Sequence, residues 1–304
     1  MPQESKELLI KKYKEVVAQT GSLFNIASIN KNFKLVEFLV ENSNYEYIYT
    51  ENGDTILHSA CVGGDLEIIS LILKKYPKLV NIKNKNNQSV FNYSLDYHPG
   101  EENKKIIELL LHSPEIDPNL TDYYEDNILH YAIYINDFEA VNLFLSKADI
   151  NKKNINGVTP FLASLMYCST NVIEFILKNS SVDFSIRDKE GRGALHYACM
   201  NKNMNHLIKY LIEEKNLDIF EENGKSVKPI YYLMKNYNQE IFEFLIKKFP
   251  EHKIPIMQDE NGKTLLHYAC LKNDIKFIDF LLTNGADCNI RDNEGKTVMH
   301  IICD

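Results

Sequence analysis

The sequence has no basic excess. Its formal net charge is −8, from 34 Lys and Arg against 42 Asp and Glu. Phosphate backbones are held by basic footprints, so a nucleic-acid partner is not expected, and docking on an anionic membrane surface is disfavoured for the same reason. No run approaches the roughly 20 apolar residues that cross a bilayer, so no membrane insertion is expected within this chain. Residues 1–21 are polar and charged and lack the apolar stretch of a secretory signal. The six cysteines, Cys61, Cys168, Cys199, Cys270, Cys288 and Cys303, form no CxxC pair. Without an export signal they read as reduced thiols, which gives a cytoplasmic expectation with the nucleus as the other compatible compartment.

Catalytic signatures are missing as well. HExxH, GxSxG and GxGxxG do not occur. Gly224-Lys225-Ser226, Gly262-Lys263-Thr264 and Gly295-Lys296-Thr297 end like a phosphate loop. The motif needs another Gly five positions earlier, where this chain has Ile219, Met257 and Ile290. The expectation is a chain that is not an enzyme and holds no cofactor.

What is present is a repeat. Thr55-Ile56-Leu57-His58-Ser59-Ala60 returns as Thr264-Leu265-Leu266-His267-Tyr268-Ala269, and more loosely at Asn127–Ala132 and Gly193–Ala198. Weaker copies start at Ser22, Ser89, Thr159, Lys228 and Thr297. The sixth residues of the copies fall at 27, 60, 94, 132, 164, 198, 233, 269 and 302, so the steps run from 32 to 38. A second apolar run follows each copy with helical spacing, as in Leu66 to Leu73 or the stripe Ile275, Ile278, Leu281, Leu282. Its central residue lies nine positions after the sixth residue at Val36, Ile69, Val141, Ile173, Phe242 and Ile278. One unit departs from this. From Ser94 to Ile107 the distance is 13, with added residues around His98-Pro99-Gly100-Glu101-Glu102. Asn52-Gly53, Asn156-Gly157, Glu190-Gly191, Asn261-Gly262 and Glu294-Gly295 mark turns between units.

A period near 33 carrying T-P-L-H-x-A resembles the ankyrin-repeat family over nearly the whole chain. The resemblance implies an all-α solenoid of stacked helix-turn-helix units with projecting β-hairpin-like loops. Residues 1–21 would be an N-terminal capping helix, 22–296 eight repeats, and 297–304 the start of a ninth that is truncated. Because the chain stops inside that unit, it is expected to be a fragment of a longer protein; the alternative is a frayed end. Each unit is too small to bury its own apolar face, so neighbours must share one core.

The five phased histidines, His58, His130, His196, His267 and His300, repeat one unit apart. Packed helices stand about 8–10 Å apart, too far for neighbouring copies to share a metal at bond lengths near 2 Å. No metal is therefore expected, and the family implies histidines that hydrogen-bond backbone at the start of the inner helix. Cys61, Cys199, Cys270 and Cys303 also share a phase and read as small buried hydrophobes. Cys168 and Cys288 fall outside it and are expected to be more accessible.

The family implies a concave binding face made of loops and inner-helix positions. By phase, Tyr97, Tyr134, Ile135, Met166, Tyr167 and Met200 are expected to form a stripe, with Tyr124, Val158, Arg187 and Arg192 on adjoining loops. Tyr and Arg favour binding hot spots, and Met suits adaptable surfaces. The competing reading is that some of these residues pack on neighbouring repeats and close the core. The function expected is a non-catalytic module, acting as a monomer, that holds a protein or peptide. The alternative is the regulatory or targeting domain of a longer enzyme or membrane channel.

Overall fold

The computed structural model describes residues 23–42, 50–97, 100–202, 204–236 and 239–303. The expected capping helix, and His98 and Pro99 of the inserted segment, lie outside the described residues. The chain divides into two compact units, the first ending at Val182 and the second beginning at Asp183.

Both units are built from pairs of short helices. In unit 1 the pairs are α1 (Leu23–Ile29) with α2 (Phe33–Asn42), α3 (Ile56–Gly63) with α4 (Leu66–Lys75), α5 (Val90–Tyr97) with α6 (Glu101–Leu111), α7 (Ile128–Tyr134) with α8 (Phe138–Phe144), and α9 (Pro160–Tyr167) with α10 (Thr170–Asn179). In unit 2 they are α11 (Ala194–Met200) with α12 (Asn205–Glu213), α13 (Pro229–Asn236) with α14 (Gln239–Lys248), and α15 (Leu265–Leu271) with α16 (Ile275–Thr283), followed by α17 (Val298–Cys303). First helices pack on first helices: α1 on α3, α3 on α5 and α7 on α9 in unit 1, and α11 on α13, α13 on α15 and α15 on α17 in unit 2. Among the described residues, β pairing amounts to one isolated bridge, Thr121 to Asn127. The fold class is all-α repeat, as expected.

The outer helices follow from their sequences. In α4, Ile68, Ile69, Ile72 and Leu73 form the buried stripe, while Asp65 accepts the amides of Glu67 and Ile68, and Lys74 and Lys75 sit at the carbonyl end. Val36, Ile69, Val141, Ile173 and Phe242 are buried, as their spacing predicts. Ile107 is buried too, so the extra residues between α5 and α6 are absorbed without displacing the core. Helix α16 differs. Phe277 and Leu281, one turn apart, fill its inward stripe, whereas Ile275 is 72% exposed and Leu282 44% exposed. Two positions rotate a helix by about 200°, so a stripe through Phe277 turns Ile275 to solvent.

Five-residue tips join the pairs: 84–88, 122–126, 154–158, 188–192, 223–227, 259–263 and 292–296. Each starts with Asn or Asp. Its amide donates to the fifth residue's carbonyl at 2.8–3.0 Å. Its side-chain oxygen accepts the fifth residue's amide at 2.7–3.0 Å. This closure places the fourth residue at positive φ, where the chain has Asn87, Glu125, Gly157, Gly191, Ser226, Gly262 and Gly295.

Glu125 and Ser226 are the costly occupants, since an L-residue with a Cβ loses about 1–2 kcal/mol in the left-handed region. Part of that is offset in a Gly variant by the extra entropy of its unfolded chain. Ser226→Gly is therefore expected to raise the unfolding free energy by up to about 1 kcal/mol. Urea unfolding with an unchanged m-value measures this, and a loss of stability would show that the Ser226 side chain holds its tip.

Candidate partner-binding surface

The phased histidines sit at the N-termini of inner helices. The backbone N–H of Thr55 donates to His58 Nδ1 at 3.1 Å, Asn127 to His130 at 3.1 Å, Gly193 to His196 at 3.2 Å and Thr264 to His267 at 3.1 Å. Nδ1 is thus the acceptor, which leaves the proton on Nε2. From there His58 donates to the Gln88 carbonyl at 3.3 Å, His130 to Val158 at 3.1 Å, His196 to Val227 at 3.1 Å and His267 to Lys296 at 3.3 Å. Each of these carbonyls belongs to the tip of the next repeat. Burial pushes His58, His130 and His196 below the usual imidazole range, His130 to about 4. Asn92 occupies the same phase in α5 and copies the arrangement. Its Oδ1 accepts the Ser89 amide at 2.9 Å, and its Nδ2 donates to Asp122 at 2.7 Å.

The tyrosine that follows the histidine has a fixed job as well. Tyr131 donates to Asp122 at 2.5 Å, Tyr197 to Asp188 at 2.7 Å and Tyr268 to Asp259 at 2.6 Å, in each case to the residue that opens its own tip. These carboxylates escaped the sequence reading. A recurring Asp nine residues before the Tyr was the available signal.

In unit 1 the expected partner residues divide into exposed and structural. Tyr97 is 57% exposed and stacks on Tyr93 at 5.8 Å. Tyr124 is exposed on the 122–126 tip, and its carbonyl accepts the Ile155 amide of the next tip at 2.9 Å. Met166 and Tyr167, at the end of α9, are 44% and 52% exposed. Tyr134 is half-buried. Its hydroxyl lies 3.2 Å from both carboxylate oxygens of Asp126, and its ring meets Tyr167 edge-on at 5.3 Å. Val158 is half-buried and contributes the carbonyl that receives His130. Ile135 corrects the expectation. It is 7% exposed, because it closes the end of α7 with its amide on the Tyr131 carbonyl and its side chain in the core.

In unit 2 the expected arginines are engaged by their own chain. Arg187 donates to the Phe184 carbonyl at 2.8 Å and to Glu221 at 2.7 Å. Arg192 donates to Asp188 at 2.7 Å and pairs with Glu190 at 3.0 Å, with its guanidinium over the Tyr197 ring. Burial works to raise Asp188, but Tyr197 and Arg192 outweigh it and hold the carboxyl below its ordinary range. Met200 is half-buried and accepts Asn236 Nδ2 on its carbonyl at 3.1 Å.

The family model for ankyrin repeats (3 copies) matches residues 23–122, 129–223 and 201–292. The chain belongs to the ankyrin-repeat family. Ankyrin repeats are generally protein-interaction modules and generally non-enzymatic. The chain is 24% identical over 275 residues to ankyrin repeat protein L371 of Acanthamoeba polyphaga mimivirus, covering 87% of this chain and 34% of that one. It is 27% identical to the human transient receptor potential cation channel subfamily A member 1, across 54% of this chain and 15% of the channel. Human inversin is 26% identical across 57% of this chain and 16% of its own length. The chain thus spans about a third or less of these relatives. Among solved structures, the complex of the Bdellovibrio bacteriovorus predatory endopeptidase Bd0816 with immunity protein Bd3460 aligns at a TM-score of 0.47 and 20% identity, covering 59% of this chain and 91% of that one. That similarity is too low to support a functional argument.

Three of the five cysteines with described side chains are buried. Cys61 and Cys199 are buried in their helices, and burial pushes the Cys61 thiol up to about 12. Cys168, expected to be accessible, is buried and likewise pushed up to about 12, because it caps α9 and points its sulfur at the Ile133 carbonyl 3.5 Å away. Cys270 and Cys288 are half-exposed, and the side chain of Cys303 lies outside the described residues. No described helix is long and apolar enough to cross a membrane.

The ankyrin histidines make stability sensitive to acid. His130 takes up a proton near pH 4 when folded, against an ordinary value of 6.5. Its contribution is complete above about pH 6.5 and is lost as pH falls toward 4, since only the unfolded chain is protonated in that window. The loss between pH 7 and pH 5 is about 2 kcal/mol. Asp122 and Asp126, raised by burial, act in the opposite sense in wild type and variant alike. His130→Asn gives this position the residue that α5 carries as Asn92. The difference in its unfolding free energy between pH 7 and pH 5 is expected to be smaller than wild type's by that amount. Equal slopes would mean that His130 is not the titrating group.

Proposed function

We propose that unit 1 binds a protein or peptide partner across the face bearing Tyr97, Tyr124, Met166 and Tyr167. The observation that carries this reading is the exposure of Tyr97 and Tyr167 at one repeat phase, with Met166 exposed beside Tyr167 on its inner helix and Tyr124 exposed on a tip. Aromatic side chains supply large contact area at low conformational cost, and Met adapts to irregular surfaces. The side chain of Tyr134 is partly committed to Asp126, so it shapes the surface by setting the position of Tyr167. A partner on this face would meet tip backbone fixed by the hydrogen bonds described above, so little ordering of the loops would accompany binding.

A second reading follows from coverage. The chain spans only 15% of a cation channel and 16% of inversin, so it is compatible with being the recognition portion of a longer polypeptide. The length of the native reading frame tests this.

The face itself is tested by capture. Met166→Ala with Tyr167→Ala is expected to weaken retention of a partner identified with the wild-type chain by more than tenfold. Stability should change by less than about 1 kcal/mol, because both side chains are mostly exposed. Glu67→Ala, on the outer helix α4, should leave retention unchanged. A double variant that retains the partner fully while Glu67→Ala loses it would move the site to the outer helices.

A further inference from the structure

The ion-pair chemistry of the two units differs at one equivalent position. Tip 188–192 opens with Asp188 and ends with Arg192, so unit 2 answers its buried carboxylate with its own guanidinium. Tip 122–126 opens with Asp122 and ends with Asp126, placing a second carboxylate where the arginine would be. Neutral donors meet this pair. Tyr131 and Asn92 serve Asp122 at 2.5 and 2.7 Å, and Asn154 and Tyr134 serve Asp126 at 2.8 and 3.2 Å. His130 Nε2 is 3.6 Å from Asp126, but its depressed pKa keeps the ring neutral. These donors satisfy hydrogen bonds and leave negative charge beneath the surface.

That charge lies behind aromatic rings. Tyr134 donates to Asp126, and Tyr93 donates to Asp54 at 2.6 Å. A phenol that donates to a carboxylate carries more electron density on its ring, and ring faces attract cations. Each of these two rings contacts an exposed neighbour, Tyr167 and Tyr97 respectively. Glu125, on the 122–126 tip, and Asp96, next to Tyr97 at the end of α5, are exposed carboxylates of the same elements. Of the lysines near these tips, Lys83 donates to Thr121 at 3.3 Å and Lys85 to the Glu51 carbonyl at 2.7 Å, while Lys152 is close enough to His130 to help lower its pKa.

Resting on the binding role proposed above, we infer that the occupant of this face is a segment rich in Arg or Lys. Its cationic heads lie on Tyr97 and Tyr167 and pair with Asp96 and Glu125. The desolvated charge of Asp122 and Asp126 supplies long-range attraction, and arginine suits the rings best because its planar guanidinium stacks.

The chain contains no Trp, so a Trp placed in a peptide reports on the peptide alone. Three peptides of equal length, alternating Gly with Arg, Gln or Glu and each carrying one Trp, are titrated with the full chain and followed by Trp anisotropy. The Arg peptide is expected to bind, more weakly as salt rises, and the Gln and Glu peptides are not. Tyr167→Ala and Glu125→Lys should each weaken the Arg peptide about tenfold while keeping the wild-type circular dichroism and melting temperature. Glu174→Lys, the same charge change on the outer helix α10, should not. The inference is overturned if the Gln or Glu peptide binds as well as the Arg peptide, if no peptide binds, or if Glu174→Lys weakens binding as much as Glu125→Lys. A captured partner that is lost from the Met166→Ala, Tyr167→Ala chain yet is not displaced by the Arg peptide would leave the binding role standing and remove the basic segment.

Discussion

The structure depends on a neutral imidazole that faces two ways. One ring nitrogen accepts the amide at the start of its own helix, and the other donates to a carbonyl in the following repeat's tip. A helix of seven or eight residues is too short to be stable alone, and a five-residue tip has no core. The histidine ties the two together, so the helix terminus of one repeat and the backbone of the next are satisfied by a single side chain. Protonation would turn the accepting nitrogen into a donor facing another donor. Burial, which disfavours the charged ring, therefore protects the geometry as well as the fold.

Around that bridge the other polar groups fall into place. The Asp or Asn opening each tip folds the loop by accepting its fifth amide, and where that residue is Asp its remaining oxygen can receive a tyrosine nine residues later. Asn92 shows that the chemistry, not the ring, is what the position requires. One acceptor and one donor on a short planar group suffice, provided the next tip offers a carboxylate for the shorter reach.

Much of this was readable in the sequence. The period, the helix pairs, the buried residue at the centre of most outer helices and the backbone role of the phased histidines follow from spacing and the family resemblance, because core packing repeats from unit to unit. Surface positions were less legible, because a phase rule fixes direction and not neighbours. Ile135 was expected in the groove, but it seals the end of its helix. Arg187 and Arg192 looked free because their acceptors, Glu221 and Asp188, become partners only once the tips close. Cys168 looked accessible because it breaks the cysteine phase, yet a helix terminus draws it inward onto a carbonyl.

Neighbouring tips touch through few bonds. Ile155 donates to Tyr124 and Asn154 to Asp126 in unit 1, and Gly224 and Lys225 both donate to Glu190 in unit 2, one backbone and one side-chain bond for each of these junctions. Under tension along a row of tips, such bonds are loaded in series. Each junction, with its two bonds, must bear the whole load in turn, unlike the many parallel bonds of a sheared β-sheet. The rows would yield link by link at low force, extending as a soft spring before any helix pair comes apart.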